Sequence, residues 1–176
     1  MSGTERILLD EAAISAAVKR VGAQISADYA ARAKPPVIIG VLKGSFVFLA
    51  DLIRTLTVPC EIDFLTAKSY GQNSHSSGVV QIVKDIDADI TGRDVIITED
   101  ILESANTLRS VCEILRSRSP ASLKVCVFLD KNVKREAPFE ADYKCFDIGD
   151  EFVVGYGLDY AEKYRYLPYL AAIAAE

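Results

Sequence analysis

The sequence predicts an α/β domain built on a mostly parallel central sheet flanked by helices, and three observations carry that prediction. Short continuous β-branched runs such as Val37-Ile38-Ile39-Gly40-Val41-Leu42 have the composition of strands buried on both faces. Amphipathic segments at helical spacing alternate with those runs along nearly the whole chain. With 176 residues and neither an internal repeat nor a linker, residues 1–176 form one domain, able to bury roughly 68–70% of the surface the unfolded chain exposes.

The elements follow in order. From Leu8 to Ala33, Ile14, Ala17, Val18, Val21 and Ile25 recur at helical spacing with Lys19, Arg20, Gln24 and Asp28 between them, which predicts an amphipathic helix. After Pro35-Pro36 the Val37 to Leu42 run is a strand, Phe46 to Arg54 a helix and Cys60 to Leu65 a strand, which makes a βαβ unit. Ser69 to Gly78 is too rich in Gly, Ser and Asn to be an element and reads as a long loop. Val79 to Val83 and Asp94 to Thr98 are strands, a helix runs through Leu108, Val111, Cys112 and Leu115, and Leu123 to Leu129 is a strand. Tyr143 to Ile148 and Phe152 to Tyr156 lie too close for a crossover helix between them, so this end of the sheet is expected to be partly antiparallel.

Composition excludes several classes of function. Half the residues are hydrophobic, and 20 Lys plus Arg face 25 Asp plus Glu for a net charge of −5, which argues against disorder and against a surface that neutralises an extended nucleic acid. The longest apolar stretches fall short of the ~20 residues of a membrane span. The start, Met1-Ser2-Gly3-Thr4-Glu5-Arg6, lacks the order of a secretory signal, so a cytoplasmic location is expected. Cys60, Cys112, Cys126 and Cys145 are scattered beside a single histidine, which argues against zinc and disulfides and leaves them as small buried hydrophobes.

Chemistry concentrates in Val95-Ile96-Ile97-Thr98-Glu99-Asp100-Ile101-Leu102-Glu103-Ser104-Ala105-Asn106-Thr107-Leu108. A buried strand runs out into carboxylates, then a hydroxyl-bearing turn, then a helix. In an open parallel sheet the ligand crevice lies beyond the carboxyl ends of the strands, where Glu99, Asp100 and Glu103 would stand. The helix start from Ser104 to Thr107 offers free N–H groups and a positive dipole end suited to a phosphate. The plainer reading, a capping serine and solvated acids, fits three acids after an apolar strand less well. Lys43 likewise follows an apolar strand, and Gly44 permits close backbone approach to a ligand. Other patterns fail. Asp85-Ile86-Asp87-Ala88-Asp89 has Ile90 where a calcium loop needs glycine and reads as a solvated turn. Gly155-Tyr156-Gly157 lacks the third glycine of a dinucleotide fingerprint, and there is no G-x-x-x-x-G-K-[ST].

The 95–108 segment resembles the signature of the type I phosphoribosyltransferases. Gly40-Val41-Leu42-Lys43-Gly44-Ser45-Phe46, Lys68-Ser69-Tyr70-Gly71, Leu129-Asp130-Lys131 and Phe152 to Tyr160 are similar, in the same order, to motifs of the hypoxanthine-guanine phosphoribosyltransferases, from about Ile7 to Pro168. The resemblance implies the type I phosphoribosyltransferase fold, with a small hood and a flexible lid loop over Lys68 to Gly78 whose Ser69 and Tyr70 close over pyrophosphate. It implies purine salvage: magnesium-dependent transfer of the 5-phosphoribosyl group from phosphoribosyl pyrophosphate to hypoxanthine or guanine, giving IMP or GMP.

In that pattern Glu99 and Asp100 contact the ribose hydroxyls directly or through Mg2+, and Asp159 helps to hold a second Mg2+ beside the purine. Magnesium suits the role because it prefers carboxylates and substrate phosphates. Glu103 takes the place of a general base near the purine N7, and with Ser104, Ala105, Asn106 and Thr107 it wraps the 5′-phosphate. Lys43, Gly44 and Arg165 meet pyrophosphate, and the peptide bond before Lys43 is expected to be cis. Lys131 donates to the 6-oxo group, which adenine lacks. Phe152 stacks on the purine opposite Ile101, and the backbone of Val153 reads its edge. His75 is expected to be a polar loop residue without a catalytic role.

The pattern usually has Asp, Thr and Gly where this chain has Glu103, Ser104 and Ala105. Each retains a functional group, so activity is expected to be retained, at a reduced rate or with altered base preference. If position 105 requires a left-handed backbone, alanine costs roughly 1–2 kcal/mol there. A xanthine-preferring or uracil-directed relative and a non-catalytic nucleotide-binding regulator are the alternatives; Lys131 with Phe152 and Asp159 favours purines, and the absence of a Lys/Arg cluster disfavours an RNA reader. The resemblance further implies a homodimer or homotetramer. The short end from Tyr169 to Glu176 departs from the longer basic tail of many relatives and is expected to pack at an interface, and composition leaves neither nucleic acid nor membrane as an expected partner.

Overall fold

The computed structural model describes residues 6–69, 80–135 and 137–173. Its elements are β1 (Arg6–Leu9), α1 (Glu11–Tyr29), β2 (Val37–Leu42), α2 (Phe46–Ile53), β3 (Glu61–Ser69), β4 (Val80–Lys84), β5 (Asp94–Leu102), α3 (Asn106–Arg116), β6 (Ser122–Lys131), β7 (Tyr143–Ile148), β8 (Val153–Val154) and β9 (Leu170–Ala172). A six-stranded sheet runs β4-β3-β2-β5-β6-β7, and a three-stranded sheet runs β1-β9-β8. Among the described residues no helix is long and apolar enough to cross a membrane.

The β-branched runs are buried on both faces, as their composition requires. Val37, Ile39, Val95, Ile97, Val125 and Val127 point to the side covered by α3, whereas Ile38, Ile96, Cys126 and Phe128 point to the side covered by α1 and α2, the two-residue alternation of strands. The four cysteines are free. Burial pushes the Cys112 thiol up to about 11 and the Cys145 thiol up to about 12, so both behave as the apolar filler their contexts suggest.

Three boundaries differ from the sequence reading. The first helix is shorter: Asp10 caps it by accepting from the Ala13 N–H at 2.8 Å, and Leu8 lies instead in β1, where Ile7 pairs antiparallel with Ala171. Next, β5 continues past Thr98 and β6 past Leu129, because Ile101 pairs with Leu129 and Leu102 with Asp130; Glu99 and Asp100 therefore stand within the strand end. Finally, the antiparallel edge of the main sheet is β4, on β3, not the carboxyl-terminal end. β7 runs parallel to β6 although no helix joins them. Retracing a strand of this length takes about 20 Å, within the reach of an eleven-residue connection. β8 leaves the main sheet to pair with β9, which makes the small sheet expected as a hood.

Asp63 ties the β4–β5 turn to β3. Its carboxylate accepts from the N–H groups of Phe64 at 2.7 Å, Asp87 at 2.8 Å and Ala88 at 2.9 Å. Nearby, Arg118 pairs with Asp85 at 2.8 Å; the Asp85, Asp87 and Asp89 side chains are exposed as expected of a solvated turn, and its backbone is clasped to β3. Burial pushes the Asp63 carboxyl up, but the Ala88, Phe64 and Asp87 N–H groups outweigh it and hold it below its ordinary 3.8. A depressed carboxylate stabilises the fold above its unfolded value, and that stabilisation is lost as pH falls through the folded value. Asp63→Ala, which orphans three donors, is expected to cost about 2–4 kcal/mol, read as a melting temperature lower by roughly 5–15 °C at pH 7; that difference should shrink as pH drops below about 3.8.

Candidate active site

The chemistry-bearing residues gather at the carboxyl ends of β2, β5 and β6, the crevice edge of a parallel sheet. β2 ends at Leu42, the Leu42–Lys43 peptide bond is cis as expected, and the turn closes with the Phe46 N–H donating to Lys43 O at 3.2 Å. Ser45 is buried, its hydroxyl donating to Val41 O at 2.6 Å. Gly44 is required sterically: a Cβ there would sit 1.5 Å from Asp100 Oδ2. Gly157 is required for a similar reason and for its φ of 102°, since a Cβ there would sit 2.3 Å from Gly44 O. The 43–45 turn, the end of β5 and the 155–159 loop are thus packed directly on one another.

Glu99 and Asp100 form an acidic pair. Burial and then the Asp100 charge push the Glu99 carboxyl well above the ordinary range, an arrangement that a cation would relieve. Among the described residues no three His, Cys, Asp or Glu side chains gather to hold a metal alone. Two adjacent hard carboxylates that leave the remaining positions to substrate oxygens and water match the binding habit of a hard divalent ion. Asp159 does not join this pair; its carboxylate lies 2.6 Å from Arg165 and accepts from the Glu162 N–H at 2.9 Å.

The 103–107 turn follows β5. Ala105 is the N-cap of α3 with φ 66° and ψ −2°, and no side chain caps the helix. Ser104 Oγ accepts from the Asn106 N–H at a long 3.4 Å, and Ser104 and Asn106 are exposed while Thr107 is half-buried. The first-turn amides are therefore open to an anion at the positive helix end. Alanine bears the left-handed strain here that glycine would not. Ala105→Gly is expected to gain about 0.5–1 kcal/mol after the added freedom of the unfolded chain, seen as melting about 1–4 °C higher.

Glu103 is brought to Lys131, whose Nζ donates to its carboxylate at 3.1 Å. Lys131, the last residue of β6, is only 7% exposed, and Asp150 lies 3.4 Å from the same ammonium. On the opposite flank Lys43 pairs with Glu162 at 3.1 Å, and Arg165 donates to Gly157 O at 2.8 Å and lies 3.5 Å from Glu162. Lys43, then Arg165, hold the Glu162 carboxyl below the ordinary range. The Nε of Arg165 is buried without a partner, and Ala161, Glu162 and Tyr164 all have positive φ, backbone strain of the kind that clusters at ligand clamps.

Phe152 is 40% exposed, with Tyr160 edge-on at 5.5 Å. Val153 is buried in β8 opposite Ala172, and Ile101 is half-buried opposite Leu129. Tyr70 and His75, together with the Ser69 side chain, lie outside the described residues, and so does the lid reading. Asp150 and Glu162 belong to no motif and were not legible in advance; only the folding of the chain sets them beside Lys131 and Lys43. Tyr160 ends the 152–160 motif, which gave it no role, and the fold sets it beside Phe152. A cavity of about 810 Å³ between α1, α2 and the 165–168 segment touches Arg165 but none of Glu99, Asp100, Glu103 or Lys131, so it is not the centre of this chemistry.

Comparison with known proteins gives the family and the fold. Residues 6–161 match the phosphoribosyl transferase domain family. The chain is 47% identical over 173 residues to the hypoxanthine phosphoribosyltransferase of Salmonella typhimurium, covering 98% of this chain and 97% of that protein. It is 42% identical to the hypoxanthine-guanine phosphoribosyltransferase of Streptococcus pneumoniae, with 98% and 94% covered. The crystal structure of a hypoxanthine phosphoribosyltransferase from Staphylococcus aureus superposes with a TM-score of 0.91 at 46% identity, over 96% of this chain and 91% of that one.

Proposed function

The chain belongs to the phosphoribosyltransferase family, and from that premise we propose that it transfers the 5-phosphoribosyl group of phosphoribosyl pyrophosphate to hypoxanthine or guanine, giving IMP or GMP and pyrophosphate. It is an enzyme of purine salvage, a glycosyltransferase. The observation that carries the choice of base is the Lys131–Glu103 pair at 3.1 Å. A 6-oxopurine presents O6 and N7 on one edge. An ammonium that donates to O6 beside a carboxylate that accepts from N7–H reads that edge, whereas the 6-amino group of adenine leaves the ammonium unpaired.

In this reading the bond from ribose C1′ to the pyrophosphate oxygen breaks as the bond from the purine N9 to C1′ forms, and Glu103 takes the N7 proton. The open amides from Ser104 to Thr107 bind the 5′-phosphate, and Gly44 lets backbone approach the pyrophosphate. Lys43 and Arg165 exchange Glu162 and Asp159 for the oxygens of that leaving group. Phe152 stacks on the base with Ile101 on its other face, beside the Val153 backbone. Glu99 and Asp100 would hold one Mg2+, directly beside the ribose hydroxyls, and Asp159 would help to hold a second; the ions would screen the charge of the departing pyrophosphate. The family pattern carries with it assembly as a homodimer or homotetramer.

A product assay with phosphoribosyl pyrophosphate and Mg2+ against hypoxanthine, guanine, xanthine, adenine and uracil tests the proposal. Nucleotide from hypoxanthine or guanine at least a hundredfold faster than from adenine is the expected result. Turnover confined to xanthine or uracil, or substrate binding without product, overturns it.

A further inference from the structure

The last rung between β5 and β6 is Leu102 opposite Asp130. Glu103 and Lys131 come immediately after it, so the ladder that aligns the two strands stops just short of the two side chains whose separation matters. One side chain continues the connection. Arg135 donates through Nε to Glu103 O at 2.9 Å and through Nη2 to Leu102 O at 3.3 Å and Lys131 O at 3.1 Å. The same Nη2 pairs with the Asp130 carboxylate, and Nη1 donates to Phe139 O at 2.9 Å. The guanidinium and its carboxylate partner are both largely buried, at 15% and 13% side-chain exposure.

We propose that Arg135 is a positioning residue whose rigid fork, by holding the carbonyls of Leu102 and Glu103 against that of Lys131, sets the spacing of the Glu103 carboxylate and the Lys131 ammonium and thereby the enzyme's fit to a 6-oxopurine edge. The inference rests on the roles proposed above for Glu103 and Lys131. Geometry selects arginine: the planar group presents donors in fixed directions to several acceptors at once, which the point charge of a lysine cannot reproduce. Arg109 provides an internal contrast. From α3 it donates to Ala137 O at 3.0 Å and stacks over Phe139 at 5.6 Å, so it holds the same 132–142 segment without a hydrogen bond to Leu102, Glu103 or Lys131.

The test is steady-state kinetics of Arg135→Lys, Arg135→Met, Arg109→Met and Glu103→Gln, each assayed well below its own melting temperature. Misplacing a reacting group by about 1 Å costs on the order of a hundredfold. Both Arg135 variants are therefore expected to lose about 30- to 100-fold in kcat/KM for hypoxanthine, with KM for phosphoribosyl pyrophosphate within twofold and relatively greater use of adenine. Arg109→Met should melt earlier with hypoxanthine KM unchanged. Wild-type kinetics in Arg135→Lys, a parallel rise of both substrates' KM, or the same kinetic loss in Arg109→Met overturns the proposal. If Glu103→Gln turns over at the wild-type rate, the reading beneath falls and the inference with it; if Glu103→Gln is impaired while Arg135→Lys is not, the inference alone falls. Should Arg135→Met fail to fold, Asp130→Asn is expected to show the same pattern at three- to tenfold, and no change there also overturns it.

Discussion

Glu103→Gln is expected to lower kcat by about 10²–10⁴-fold, the usual contribution of a positioned general base, with KM for phosphoribosyl pyrophosphate within about threefold. Glutamine preserves the length and the acceptor oxygen that meets Lys131 at 3.1 Å but cannot take the N7 proton. The side chain is about half exposed, so the substitution should leave melting nearly unchanged and the kinetic loss cannot be assigned to unfolding. Glu103→Asp is the sharper comparison. Removing one methylene withdraws the carboxylate by more than 1 Å from an ammonium that is itself buried at the end of β6, and the lysine cannot follow it without leaving Asp150. The aspartate variant should therefore be slower by about ten- to a hundredfold. An aspartate variant faster than the native enzyme would show that glutamate is a compromise in a pocket shaped for the shorter acid, and a fast glutamine variant would remove Glu103 from the proton transfer.

What was legible in the sequence follows from how local each signal is. The βαβ rhythm, the burial of the Val37, Val95 and Val125 runs on both faces and the strand-to-helix turn before Asn106 depend on neighbours in the chain, and they stand where pattern placed them. The pairing of Ile7 with Ala171 depends on the two ends of the chain meeting, so Leu8 looked helical beside an amphipathic segment. The parallel course of β7 depends on a connection without a helix, which Arg109 and Arg135 hold at the Ala137 and Phe139 carbonyls and which no periodicity reveals. The site divides in the same way. Glu99, Asp100, Glu103, Lys43 and Lys131 sit in ordered motifs, whereas Asp150 and Glu162 are ordinary surface acids until folding brings them to Lys131 and Lys43. Ala105 shows a third case: the left-handed backbone at φ 66° was suggested by a glycine pattern this chain breaks, and the fold keeps the turn at the expense of strain.

Lys131→Gln is expected to reverse part of the base selection. Lys131 is buried with carboxylates of Glu103 at 3.1 Å and Asp150 at 3.4 Å, both of which reach solvent, so removing the ammonium strands no buried charge and the fold should tolerate it. Loss of a charge-assisted hydrogen bond to O6 costs roughly 1.5–3 kcal/mol, which lowers kcat/KM for hypoxanthine by about 10- to 150-fold. Adenine should move the other way, because an amide oxygen accepts from its 6-amino group where the ammonium could only oppose it. The hypoxanthine-to-adenine ratio of kcat/KM is thus expected to fall by about a hundredfold or more, with KM for phosphoribosyl pyrophosphate unchanged, since the residues proposed to meet that substrate, Lys43 and Arg165, pair with Glu162 and Asp159 and not with Lys131. Competition assays with the two bases read this ratio directly. An equal loss on both bases would place Lys131 in support of Glu103 alone, and base choice would then rest with Phe152 and the backbone around Val153.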